Sequence, residues 1–473
     1  METNGKQATA RRGALDVEQH GIDFIPPEHR FGKPYRLLTL WFAGNVQITT
    51  LATGALAVVL GLNLTWAILS ILIGNLIGGL YMATHSAQGP RLGVPQMIQS
   101  RAQFGMWGTS LPLLVVIIMY LGFFILSSYL GGQALSSLLH VTTNEGIVIA
   151  NVIVLVGTWF GHNWIHAYNR VMAVLSLGIF LAMIVHLLGH MPTHLPTGSV
   201  SYGTVLLVIS IVVSWQLTWA PYVSDYSRYL PADTSPAKTF WYTYIGSAIG
   251  GSFVMIAGAL ASLTAFNAMS SDAPAYLAGL FPSVQWLFLL IIAGGVVSIN
   301  MENLYGASLT IFTSISPSGE SSQGAKGRII ATTIMAVLAT IVALNMSANF
   351  STNLTNFIVF LLYLLIPWTA INLTDFYLIH HGRYDVSQFF RVDGRWGRVN
   401  WTSVGIFVVT LLVELPFVDS TLFEGWVAKR MGGADIAWIV GFVFAAVTYY
   451  LTARFGKKGR LAAEEIATLS ASA

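Results

Sequence analysis

Three clusters of polar side chains lie where the surrounding sequence is almost wholly apolar. The first is Asn45 and Gln47 in WFAGNVQITT, Trp41 to Thr50. The second is Trp215, Gln216 and Trp219 in SWQLTWAPYVSDYSRYLP, Ser214 to Pro231. The third is Asn300, Glu302 and Asn303 in IAGGVVSINMENLYGASLTI, Ile292 to Ile311. Amides can read a donor–acceptor edge, and an ionisable group inside an apolar run is a functional hypothesis by default. Trp215 and Trp219 are four residues apart and share one helix face. Bond-making chemistry has little to draw on. There is no HExxH, GxSxG or phosphate-loop motif and no cysteine, which excludes disulfides and thiolate metal sites. His162 and His166 have the i, i+4 spacing of a metal pair but no glutamate between them, and His186, His190 and His194 follow at the end of the next apolar run. A metal site there is the weaker reading.

The elements that must position these clusters are membrane helices. Only 9% of the 473 residues are charged, against roughly 25% in a soluble domain, while 55% are hydrophobic. Mean hydropathy is +0.67. Spanning the hydrocarbon takes about 20 apolar residues. Twelve runs qualify, at about 37–61, 66–83, 110–139, 146–160, 168–189, 202–221, 238–265, 284–314, 328–346, 354–379, 402–419 and 435–453. The segment 1–36 is polar, with no apolar core for a signal peptide. If it lies inside the cell, every one of the 23 basic residues except Lys429 and Arg430 falls on cytoplasmic tails and loops. The positive-inside rule requires such a bias, and miscounting by one helix would scramble it. The expectation is a multi-pass protein of the plasma membrane with both termini cytoplasmic, 1–36 and 454–473 being tails. The charged loop 380–401 is expected to pack against the cytoplasmic face.

Two of the runs are interrupted. Gly44 weakens the first, and Pro221 removes a backbone donor from the sixth. Broken helices survive in a bilayer only where they face protein or a water-filled cavity. Paired breaks at corresponding positions of two halves point to an inverted-repeat transporter with its site between them. Five helices separate the breaks, an odd number, so the halves insert with opposite topology. Asn45 and Gln47 would then line a site at mid-membrane, where freed carbonyls can hold a cation. The competing reading is that these small and polar residues serve helix packing.

Several segments, taken together and in order, resemble the nucleobase–cation symporter family of cytosine, purine, uracil, thiamine, allantoin and hydantoin permeases. They are FIPPEHRFGKPYRLLTLWFAGNVQ, IGNLIGG, GPRLGVPQMIQSRAQFG, YLGGQAL and SDYSRYLP, and LWFAGNVQ and GPRLGVPQ are most similar to the purine–cytosine permeases. The resemblance runs from about Phe24 to about Phe376. It implies an all-α, LeuT-type fold: a first inverted repeat over 37–190, a second over 202–379, and two peripheral helices over 402–453. It also implies import of a planar heterocycle, held between helices one, three, six and eight by stacking and amide contacts, with Na+ or H+ as the driving ion. Membrane lipid is the surrounding partner. No nucleic acid, cofactor or obligatory protein partner is implied.

Carried over residue by residue, the resemblance makes Gln47 a polar substrate contact, and Ala43 and Val46 sources of cation-binding carbonyls, with Asn45 able to add an oxygen. Phe123 falls where relatives often stack a Trp or Tyr on the ring, with Phe124 its rival in register. Ser127 falls where relatives carry an amide or acid. Trp215, Gln216 and Trp219 are placed at the site, one indole covering the ring while Gln216 reads its edge, and Asn303 is a further substrate contact. For the cation, Ser298 matches one of two adjacent hydroxyl positions. Ile299 fills the other and cannot coordinate, and Gly295 could offer a carbonyl. The sodium site looks incomplete. Glu302, flanked by Asn300 and Asn303, supplies a titratable group, and desolvation lets a buried carboxyl exchange a proton near neutral pH. Proton coupling is therefore favoured over sodium. Asp225 and Arg228 read as a gate or loop anchor. A membrane-embedded enzyme is the rival from another class, and a channel lacks any filter-like loop.

Overall fold

The protein is described by a computed structural model, which covers residues 23–191, 200–315, 325–346 and 349–471. Among these residues the fold is helical throughout, apart from one isolated bridge between Asp419 and Glu424. Among the described residues nine helices are long and apolar enough to cross a membrane. A tenth crossing is a bent pair, and two shorter apolar helices occupy the positions of runs four and eleven. In chain order these are α1 (Arg36–Gly44 and Ile48–Val59), α2 (Leu64–Ser86), α3 (Ser110–Leu139), α4 (Thr143–Trp159), α5 (His162–Gly189) and α6 (Tyr202–Leu217 and Ala220–Ser227). There follow α7 (Pro236–Thr264), α8 (Gln285–Ile315), α9 (Ala325–Ala343), α10 (Phe350–Thr374), α11 (Trp401–Glu414) and α12 (Ala437–Phe455). The chain is a multi-pass membrane protein.

Both expected interruptions are present, and the second is displaced. The two halves of α1 meet at 62° across Asn45–Gln47. In α6 the break lies at Thr218–Trp219, before Pro221 rather than at it, and helix resumes through Ser227. Proline is tolerated in the first turn of a helix, where its missing N–H would have no partner anyway. Pro221 is the second residue of the second segment and cannot bond the carbonyl of Leu217, where the first segment ends.

Close backbone approach holds the core together. α7 packs along α1 through glycines: a Cβ on Gly54 would lie 2.0 Å from Met255 O, and one on Gly258 would lie 1.9 Å from Leu51 O. Small residues of this kind supply packing where lipid offers no hydrophobic driving force.

The ends of the bundle that carry the basic loops are covered by more than tails. The α2–α3 connection is three short helices, Gly89–Leu92, Gln96–Gln99 and Arg101–Phe104, largely buried. Loop 380–401 packs on it, with Tyr384 and Phe389 in a small core with Leu92, Val94 and Ile98. Residues expected to form free tails are docked. Ile25 N donates to Gly93 O (2.9 Å) and Phe31 N to Tyr229 O (2.6 Å). At the other terminus α13, Lys457–Ala471, lies against α12 and loop 380–401. Its Lys458 reaches Asp375 Oδ1 (3.1 Å), at a π turn that extends α10. Asp375 also accepts from Gln103 Nε2 (2.7 Å), Tyr384 OH (3.0 Å) and Tyr449 OH (2.7 Å). Residues 1–22 of the expected N-terminal tail lie outside the described residues.

Candidate functional site

The two breaks face each other. Gly44 leaves room for the Trp219 indole, whose Cη2 would be 3.7 Å from a Cβ there. Trp41 meets Trp219 edge-on at 5.7 Å and Tyr226 at 5.3 Å. Two cavities adjoin this junction. A vestibule of about 650 Å3 opens on the basic face between α1, α5, α6 and α8. A narrow cavity of about 20 Å3 lies deeper, between α1, α3, α6 and α8. Gln47, Trp219 and Ile299 line both and form the wall between them. The deeper cavity has room for about one water, so a planar ring enters only if this wall moves. Towards the opposite face the path is shut. Tyr129 stacks on Phe350 at 5.1 Å, and Gln133 Nε2 donates to Ser271 O (2.7 Å).

Most of the expected site residues converge here. Gln47, Phe123, Ser127, Trp215, Trp219 and Asn303 line the narrow cavity. Phe123 is turned to it, edge-on to Trp215 at 5.6 Å, while Phe124 is fully buried elsewhere. Ala43, Val46, Gly295, Ser298 and Glu302 line the vestibule.

Three expected residues turn away. Gln216 donates to Asn75 Oδ1 (2.6 Å) and Ser247 O (3.1 Å) and accepts from Ser247 Oγ (2.6 Å), between α2 and α7. Successive helix residues point about 100° apart, so Gln216 cannot face the cavity that Trp215 and Trp219 line. Asn300 likewise faces α3, donating to Phe124 O and Ser128 Oγ, each at 3.1 Å. Asn45 is committed too: it accepts from Trp215 Nε1 (2.9 Å) and donates to Trp41 O (2.8 Å) and Ser247 Oγ (3.2 Å). It fastens the break in α1 to α6 and α7, and its oxygen is already occupied.

Other residues were not anticipated. Asn169 of α5 accepts from Ser298 Oγ and donates to Glu302 Oε1, bridging the two expected ion-carrying side chains of α8. His166, one turn away, lines the same vestibule with Arg36 and Arg170. Thr49, Thr218 and Tyr222 line the narrow cavity. The signal for Asn169 in the sequence is the polar HNWIHAYN stretch, His162 to Asn169, that leads into run five. Asp225 and Arg228 are anchors: Asp225 Oδ1 accepts from Gln96 N (2.8 Å), and Arg228 Nη1 donates to Asp23 O (2.9 Å). The His186 and His190 rings stack at 4.1 Å, and His194 lies outside the described residues. Among the described residues no group of three His, Cys, Asp or Glu side chains is arranged to hold a metal ion.

Residues 24–441 match the family model described as "Permease for cytosine/purines, uracil, thiamine, allantoin". The chain belongs to this permease family. It is 40% identical to a putative purine-cytosine permease of Bacillus subtilis, over 95% of this chain and 99% of that one. It is 26% identical to a purine-cytosine permease of Emericella nidulans, over 92% and 88%. Among solved structures the permease is similar to Mhp1, a nucleobase-cation-symport-1 family transporter, in a closed conformation with bromovinylhydantoin bound. The TM-score is 0.74 at 16% identity, covering 95% of this chain and 99% of Mhp1. An inward-facing conformation of Mhp1 matches with TM-score 0.72 at 17% identity, over 93% and 96%. The permease therefore has the LeuT-type fold, and its relatives are transporters rather than enzymes.

Proposed function

We propose that this permease is a secondary active transporter that imports a nucleobase, cytosine or a purine, by cation symport with alternating access. The observation that carries the reading is the narrow cavity. Phe123, Trp215, Trp219 and Tyr222 offer aromatic faces there, and Gln47 and Asn303 offer amides, all beside two helix breaks. The names of the bacterial and fungal relatives support the same class of substrate. On this reading α1–α5 and α6–α10 are the inverted repeats. The basic face is cytoplasmic by the positive-inside rule, so the vestibule opens inward and both termini are inside the plasma membrane. No cofactor or second protein is required.

The coupling ion is proposed to be H+. Ile299 stands where a sodium site would need a hydroxyl, while Glu302 faces the vestibule and is held by Asn169. Sodium bound by the carbonyls of Ala43 and Val46 with Ser298 is the alternative. The test is uptake of labelled cytosine and hypoxanthine in a permease-deficient cell. The expected result is uptake that is faster in acid, collapsed by a protonophore and indifferent to replacing Na+ with choline. Glu302→Gln should still bind substrate but fail to accumulate it. Strict Na+ dependence that survives loss of the proton gradient would return the coupling to the sodium alternative. If neither base accumulates or shifts the melting temperature, the substrate is another heterocycle. Glu302, half-buried at the vestibule wall, then favours a cationic one such as thiamine.

A further inference from the structure

The polar groups around the narrow cavity differ in what they can offer a ligand. Gln47 gives its amide N–H to Gly44 O (3.2 Å) and presents Oε1, which has no partner among the described residues. Trp219 Nε1 also has no partner there, and an indole N–H can only donate. Asn303 gives an amide hydrogen to Asn300 Oδ1 (3.3 Å). These amides and the indole have fixed donor and acceptor ends.

Thr49 and Ser127 do not. Their oxygens lie 3.0 Å apart, on α1 and α3, and either can be the donor. Both line the cavity and both are 1% exposed. A hydroxyl carries one hydrogen and two lone pairs and rotates freely. When Thr49 donates to Ser127, the Ser127 hydrogen is left for a ligand and Thr49 keeps a lone pair. When the pair reverses, the two roles exchange. A ring edge beside the pair can therefore meet a donor or an acceptor with no heavy atom displaced.

We propose that the Thr49–Ser127 hydroxyl pair is the element that lets one site accept bases carrying either an oxo or an amino group at the edge facing it. This rests on the nucleobase reading above and assigns a substrate contact to Thr49. Neighbouring hydroxyls show what the pair prevents. Ser128 Oγ donates to Phe124 O (2.7 Å) and Thr53 Oγ1 to Thr49 O (2.8 Å), in each case the carbonyl four residues back. Without Thr49, Ser127 would give its hydrogen to the carbonyl of Phe123 in the same way. Only its lone pairs would then face the cavity, and they suit an amino group and not an oxo group.

The test is inhibition of labelled-cytosine uptake by matched pairs, adenine against hypoxanthine and cytosine against uracil, in cells carrying the full-length permease. Thr49→Val keeps the shape and removes the hydroxyl. It should shift the preference towards the amino member of each pair by roughly tenfold, the factor one net hydrogen bond carries. Thr49→Ser should restore the original ratio. If Thr49→Val lowers the melting temperature or overall uptake but leaves both ratios within about twofold of the parent, the pair only ties α1 to α3 and the proposal is wrong. Failure of the underlying reading looks different. No base would compete in the parent protein, and Gln47→Ala would change nothing.

Discussion

Around Asp375 and around the two helix breaks, the fold buries polar atoms in opposite ways. Asp375 is fully buried and takes hydrogen bonds or ion contacts from Gln103, His380, Tyr384, Tyr449 and Lys458. At the breaks Gln47 Oε1, Trp41 Nε1 and Trp219 Nε1 have no partner among the described residues. A buried polar atom left unmatched costs about 1–3 kcal/mol. The difference separates a joint from a receptor. Where five elements must be fastened at one face, the central carboxylate is fully engaged, and where a guest must be recognised an amide oxygen and two indole N–H groups are left open beside a cavity.

The comparison is broken most severely at the joint. Asp375→Ala leaves Lys458 without its counter-charge and two buried tyrosine hydroxyls without their acceptor, and losing one partner of a buried ion pair costs about 3–5 kcal/mol. Thermal melts of purified protein should show the loss directly. Asp375→Asn combined with Lys458→Ala should recover part of it, because no lone buried charge then remains. A melting temperature equal to the parent's in Asp375→Ala would mean that α13 and loop 380–401 are held by something else.

At the breaks the expectation reverses, with folding kept and transport lost. Trp219→Ala should weaken substrate binding by about 1–3 kcal/mol, by analogy with base–aromatic stacking. Gln47→Ala should reduce uptake strongly at near-normal surface expression, since its free oxygen is available to a ligand. Calorimetry or a ligand-induced melting shift distinguishes lost binding from lost expression. If both variants bind as the parent does, the recognition site lies elsewhere.

Gln216→Ala sharpens the comparison because it sits within the second cluster yet behaves as a joint. Its amide ties α6 to Asn75 of α2 and Ser247 of α7. Truncation should lower stability by about 1–3 kcal/mol while leaving the ranking of substrates unchanged, as read by a competition panel. A changed ranking would bring Gln216 back to the cavity.

That residue also marks the limit of what the sequence reveals. The broken helices, the positions of the apolar helices and the faces of Trp215 and Trp219 were legible, because glycine, proline and amides inside apolar runs have few other uses. Loop 380–401 was legible from its charge. Orientation within a run was not. α3 and α8 are apolar nearly all round, so no amphipathic stripe told Asn300 from Asn303, although one faces α3 and the other the cavity. Thr49 and Asn169 are short polar residues of the kind that equally serve helix packing. Only the facing helix reveals which of them border space. Lys458 was assigned to a tail because nothing local predicts a partner near Asp375, more than 80 residues away along the chain.

The smallest effect is expected at Pro221, where the two kinds of region meet. It sits in the first turn of the second α6 segment, a position that tolerates a missing N–H. Pro221→Ala should therefore change stability by less than about 1 kcal/mol, unlike a proline removed from a helix interior, where the ring itself costs about 3 kcal/mol. The new N–H can bond the carbonyl of Leu217 and join the two segments across Thr218–Trp219. That would stiffen the wall Trp219 shares between vestibule and narrow cavity. The expected outcome is uptake slowed a few-fold, roughly the factor of one modest hydrogen bond, with equilibrium binding nearly unchanged. The chain has no cysteine, so a single cysteine placed at Ala173 in the vestibule reports the opening rate cleanly by thiol labelling. Slower labelling in the Pro221→Ala background would locate the effect in motion of the break. Labelling and uptake both equal to the parent's would mean that the break is held open by Gly44 and the Trp41–Trp219 contact rather than by the proline.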